Sequence, residues 1–141
     1  MIYQLASLLD FFGPARLLQS YTVLIGLALF TGFIITNLLL PKFYEKLPHD
    51  RGREFTAHAE AAKGKPTGSG IVFITIFVLV TFIFIPLNWL QVVILILTWL
   101  TMLTGFLDDN SVQSWGEYRK AFLDLILSVG ASVALYYGCK N

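Results

Sequence analysis

Leu17 to Leu40, Gly68 to Leu87 and Trp89 to Leu107 contain no charged side chain. Each is long enough, at roughly 1.5 Å per helical residue, to cross about 30 Å of hydrocarbon. A backbone in that medium has no water to bond, so it must satisfy its own N–H and C=O groups, which a helix does within one segment. A fourth apolar stretch, Ala121 to Tyr137, is shorter and carries Asp124 in its first turns. Lys120 stands four residues before that aspartate, and helical spacing predicts that the two side chains pair. The fold expected is all-α: a polytopic membrane protein with about four transmembrane helices. Composition agrees, because 13% of the 141 residues are charged, against about a quarter in soluble domains.

The remaining segments follow from these spans. Residues 1–16 hold an apolar run without the basic start or small-residue cleavage site of a signal peptide, and are expected to form a retained interfacial segment. The spans fall at 17–40, 68–87, 89–107 and 121–137, with a basic loop at 41–67 and a shorter loop at 108–120. Lys42, Lys46, Arg51, Arg53, Lys63 and Lys65 lie in the first loop, whereas the link "PLN" after the second span has no basic residue. The positive-inside rule then places both loops in the cytoplasm and both chain ends outside. A net charge of +1, with the basic residues gathered mostly in one loop, leaves no broad basic surface and excludes nucleic acid as a partner. Cys139 is the single cysteine and has neither a disulfide partner nor metal-ligand spacing.

Two stretches on the cytoplasmic face carry possible chemistry. In "KGKPTGSGI", residues 63–71, Pro66 stiffens the chain while Gly64, Gly68 and Gly70 let backbone N–H groups turn toward an anion at a helix start. The same residues also fit a plain turn in which Thr67 or Ser69 caps the second span. In "TGFLDDNSV", residues 104–112, Asp108 and Asp109 stand side by side at the end of the third span. Adjacent side chains on a helix diverge by about 100°. One carboxylate can therefore join a magnesium ion while the other meets a different group, or both can be solvated. His49 and His58 read as loop residues.

Taken in order, Pro66, Thr67 and Gly70, then Gly105, Phe106, Asp108 and Asp109, then Glu117, Tyr118 and Lys120 resemble the N-terminal part of the polyprenyl-phosphate N-acetylhexosamine-1-phosphate transferases. The resemblance covers nearly the whole chain. It implies a bacterial inner-membrane enzyme that moves a sugar phosphate from a uridine diphosphate sugar to a lipid phosphate and releases UMP, with Mg²⁺ as cofactor. The "PT" before the glycines is similar to the branch that uses UDP-N-acetylmuramoyl-pentapeptide and undecaprenyl phosphate, in the first membrane step of peptidoglycan synthesis. Alternatives are a sister N-acetylglucosamine-1-phosphate transferase and a non-catalytic small membrane protein or remnant. The resemblance implies catalytic roles for Asp108 and Asp109, with Asp109 toward the metal, and substrate-binding roles for Thr67, Gly68, Gly70 and Lys120.

The sequence departs from the family at several points. "PTGSG" stands where relatives commonly have "PTMGG". Ala62 occupies a position where the family has a lysine, and the loop from Asp109 to Lys120 is short and lacks the usual lysines. The family's later third aspartate and histidine cluster are not in this chain. It is therefore expected to be the first part of a longer enzyme, inactive alone and completed by C-terminal helices or by self-association.

Overall fold

The computed structural model describes residues 17–49, 64–111 and 115–140, and all of its extended elements are helices. Helix α1 spans Tyr21–Phe43, α2 spans Gly70–Phe84, α3 spans Trp89–Asn110 and α4 spans Glu117–Lys140. The expected interfacial segment at 1–16 and His58 lie outside the described residues.

Helices α1, α3 and α4 belong to segments long and apolar enough to cross a membrane: Tyr21–Lys46, Trp89–Asn110 and Glu117–Gly138. The second stretch, expected at 68–87, is helical only over the 15 residues of α2, a rise of roughly 22 Å. Both shortenings have local causes. Gly68 has φ +69°, a left-handed conformation that cannot continue into a helix. At the other end Pro86 disfavours helical geometry for the residue before it, and Ile85 is extended at φ −99° and ψ 132°.

The next helix starts at once. Asn88 accepts a hydrogen bond from the Gln91 N–H at 2.9 Å, while Gln91 Oε1 accepts one from the Asn88 N–H at 2.9 Å. This reciprocal box satisfies two N–H groups that a helix start leaves open. It also lets a link of a few residues reverse the chain.

Among the described residues the helices pack serially, α1 on α2, α2 on α3 and α3 on α4. Val72, Ile76 and Val80, one turn apart on α2, are buried against Ala28, Ile35 and Leu39 of α1. Across the next seam, Trp99 Nε1–H of α3 donates to Thr75 Oγ1 of α2 at 3.1 Å. Outward faces remain strongly apolar: Leu29, Phe30 and Phe33 on α1 are each about two-thirds exposed. In water that surface would be a liability, whereas in hydrocarbon it is solvated.

The α3–α4 pair is set by one close approach. A Cβ placed on Gly138 would lie 2.6 Å from Leu90 Cδ2 and 2.9 Å from its Cγ, and one on Gly130 would lie 3.6 Å from Leu97 Cδ2. Leu90 begins α3 and Gly138 nearly ends α4, so the helices are antiparallel and touch most closely away from the aspartate pair. Gly138→Leu should therefore force them apart and destabilise the pair by ~1–3 kcal/mol, the usual range for overpacking. Adding Leu90→Ala should recover most of that loss. Denaturant titration of the single and double variants in micelles checks both expectations.

Candidate active site at the end of α3

The loop glycines are placed by a clamp between the two ends of the connection from α1 to α2. After α1 the chain tightens into a 3-10 turn at Tyr44–Lys46 and buries Leu47. The Thr67 N–H donates to the Pro48 carbonyl at 2.7 Å, and Thr67 Oγ1 donates to the same oxygen at 3.1 Å. His49 and Pro66 form an isolated antiparallel bridge beside it. Thr67 is thus committed to backbone and does not cap α2. Ser69 occupies the cap position without a side-chain cap hydrogen bond.

Gly68 is the point where this loop meets α3. A Cβ there would sit 3.1 Å from Phe106 Cδ2 and 3.2 Å from Pro48 Cγ, in addition to facing the positive φ. A side chain at this position would push the loop off α3. Gly70 begins α2, and a Cβ there would meet nothing within 4 Å.

The two aspartates diverge as their spacing predicts. Asp108 points toward α4, where its Oδ2 takes the Lys120 ammonium at 2.7 Å. Its Oδ1 accepts the Trp115 N–H at 2.7 Å. The carbonyl of Asp108 accepts both the N–H and the Oγ–H of Ser111, at 3.1 and 2.7 Å. Asp109 is exposed and has no hydrogen-bond or ionic partner among the described residues.

The pairing expected between Lys120 and Asp124 is corrected here. The ammonium reaches across to α3, and Asp124 has no ionic partner among the described residues. Spacing of four along one helix brings two side chains within reach. It does not hold a flexible lysine there when a carboxylate on the facing helix is also in reach and is fixed by a backbone N–H.

A cleft of about 150 Å³ opens beside this ion pair, lined by Thr104, Asp108, Trp115, Lys120, Leu123 and Asp124 among others. Trp115 frames it, with the Arg119 guanidinium 4.0 Å from its ring centroid, a cation–π contact that fixes the indole. Thr67, Gly68 and Gly70 do not line this cleft. The loop and the Asp108–Lys120 pair flank the same end of α3 from different sides, with Phe106 on the loop side. Sequence reasoning missed Trp115, for which an aromatic residue at a membrane boundary was a signal. It placed Phe106 in the motif that carries the family resemblance but did not foresee its contact with Gly68.

Among the described residues no group of three or more His, Cys, Asp or Glu could hold a metal ion. With both Asp108 oxygens engaged, Asp109 is the uncommitted carboxylate of the pair. One free carboxylate fits a Mg²⁺ shared with substrate phosphates and waters, and does not fit a closed all-protein cage.

Since Asp108 holds the Trp115 N–H and Asp109 holds nothing described, the two can be separated without any substrate. Asp108→Ala should speed hydrogen exchange at the Trp115 amide at least roughly tenfold, as expected when a charge-assisted hydrogen bond is lost. Asp109→Ala should leave that rate unchanged. Residue-resolved exchange measured by mass spectrometry in micelles provides the comparison.

No family model matches the chain, and no solved structure matches it. Proteins named phospho-N-acetylmuramoyl-pentapeptide-transferase from two strains of Treponema pallidum are 49% identical to it over 129 residues, covering 92% of this chain and 36% of each relative. A protein of the same name from Opitutus terrae is 33% identical over 149 residues, covering 92% of this chain and 40% of that relative. The chain thus spans little more than a third of the length of the Treponema pallidum relatives. Over nearly all of its own length, this chain is homologous to part of the phospho-N-acetylmuramoyl-pentapeptide-transferases.

Proposed function

We propose that this chain forms part of a membrane transferase that moves phospho-N-acetylmuramoyl-pentapeptide from its UDP-linked form to undecaprenyl phosphate, releasing UMP. The observation that carries the reading is the Asp108–Lys120 pair, joined at 2.7 Å beside a cleft at the helix end that also meets the loop glycine Gly68. The name of the relatives supports transfer of phospho-N-acetylmuramoyl-pentapeptide, and the family resemblance supplies the UDP-linked donor and the lipid phosphate acceptor. A sugar nucleotide and a lipid phosphate are both anions, and their phosphates must be brought together at headgroup depth. An ammonium and an open carboxylate at a helix end suit that meeting.

Each residue then has a distinct part. Lys120 presents a point charge to a phosphate, and Asp108 holds that ammonium in place beside the cleft. Thr67, tied to Pro48, fixes the loop so that Gly68 and Gly70 bring backbone close to the nucleotide. Asp109 is the residue here suited to hold Mg²⁺, which when bound supplies Lewis-acid polarisation and a template for the phosphates. The loops face the cytoplasm of a bacterial inner membrane, following the six basic residues between the first two apolar stretches. The rest of the site comes from chain of the kind that makes the relatives longer, or from a second copy, so the 141 residues alone turn over no substrate.

A chimaera tests the reaction. The 141-residue segment is placed in the Treponema pallidum relative in place of the part it matches, and Mg²⁺-dependent UMP release is measured at matched expression. Turnover is expected in the chimaera, and Asp108→Asn or Asp109→Asn should each lower it by roughly a hundredfold or more, as for loss of a group acting on the transition state. An active chimaera indifferent to both Asp108→Asn and Asp109→Asn would contradict the assignment of the pair.

Orientation is tested separately at Gly116, where an added Cβ meets nothing within 4 Å. With the native cysteine removed by Cys139→Ser, a cysteine at Gly116 should react with a membrane-impermeant maleimide only after the cells are permeabilised. Labelling in intact cells would reverse the topology.

A further inference from the structure

The seam between α3 and α4 continues past the ion pair. A second cleft of about 420 Å³ is lined by Ile94, Leu97, Thr98 and Thr101 of α3 and by Asp124, Leu127, Ser128 and Ala131 of α4. On each helix these positions run i, i+3, i+4, i+7, which is one face of a helix over two turns. Two such faces side by side make a groove of the width and direction that a third helix fills. Asp124 and Thr101 line both this cleft and the smaller one above it.

The one charge lining the groove is negative. The hydroxyls of Thr98 and Thr101 donate to the carbonyls of Ile94 and Leu97, each at 2.9 Å. Their hydrogens are engaged within α3, and their remaining lone pairs can only accept. Asp124 adds a carboxylate, and it is exposed without a partner among the described residues. Lys120 is the one cation lining either cleft, and it is held by Asp108. Asp124 sits one turn farther along α4 than Lys120, roughly 6 Å deeper into the span. An unpaired carboxylate within a span is costly and is ordinarily paired.

We propose that the α3–α4 groove is the seat of a further membrane-spanning helix, outside this chain, whose Lys or Arg side chain pairs with Asp124. The Treponema pallidum relatives are matched over only 36% of their length, so these homologues carry further sequence that can supply such a helix. This inference does not depend on the transfer reaction. It rests on the groove's shape and on its uncompensated charge.

The test uses the full chain in phosphatidylcholine vesicles, with Cys139→Ser and Ala131→Cys, and a synthetic Leu–Ala transmembrane helix carrying one cysteine. One form of the peptide has a lysine a single turn inside its end, and the other has leucine there. Disulfide yield under mild oxidation should be about fivefold or more higher for the lysine peptide, in line with polar association between helices in lipid. Asp124→Asn should reduce it to the leucine level, Asp124→Glu should retain much of it, and Asp109→Asn should leave it unchanged. Equal yields for the two peptides, or a preference that survives Asp124→Asn, would overturn the proposal. Loss of the preference when phosphatidylethanolamine is included would overturn it too, assigning Asp124 to a lipid amine.

Discussion

Both oxygens of the Asp108 carboxylate are engaged, one by an ammonium on α4 and the other by a backbone N–H in the link that leads to α4. That arrangement ties the end of α3, the link and the start of α4 into one unit. Without it the antiparallel pair would rest on the close approach of Leu90 and Gly138 at its far end, and the end carrying the polar residues would be free to splay. The charge of Asp108 has a structural use before any substrate arrives, and the same contact that closes the helix pair aims Lys120 at the cleft.

This division of labour separates the two aspartates. Adjacent residues on a helix cannot face the same way, so one is turned inward to the fold and its neighbour outward to solvent. Asp109 keeps an open carboxylate because Asp108 has taken the partners on the α4 side. The loop side of α3 is occupied by Phe106 under Gly68, a packing contact that tolerates no side chain on the loop and so brings backbone against α3.

Most of the architecture was legible because its cause is local. The uncharged runs dictate helices, and Asn88 with Gln91 starts α3, although the span expected at 68–87 ran past the Pro86 that stops α2. The aspartate pair was legible as an oddity, two charges behind an apolar run. What the sequence did not reveal was pairing across helices. Lys120 has one carboxylate four residues ahead and another on a neighbouring helix, and a one-dimensional rule sees only the first. Thr67 likewise reads as a cap until Pro48, nineteen residues earlier, is brought alongside. The role of Phe106 depends on a contact with the loop that no pattern within α3 encodes.

The brevity of α2 has a further consequence. Its neighbours α1 and α3 are 23 and 22 residues long, whereas α2 has 15, so beside it the apolar girdle of the protein is about 10 Å lower than elsewhere at ~1.5 Å per residue. A bilayer beside α2 would either thin to match it or be met by the apolar residues 85–87 that follow the helix, starting from the extended Ile85. Gly68 closes the connection from α1 and α2 starts two residues later at Gly70, so the loop that carries Thr67 is tied to the shortest apolar helix among the described residues.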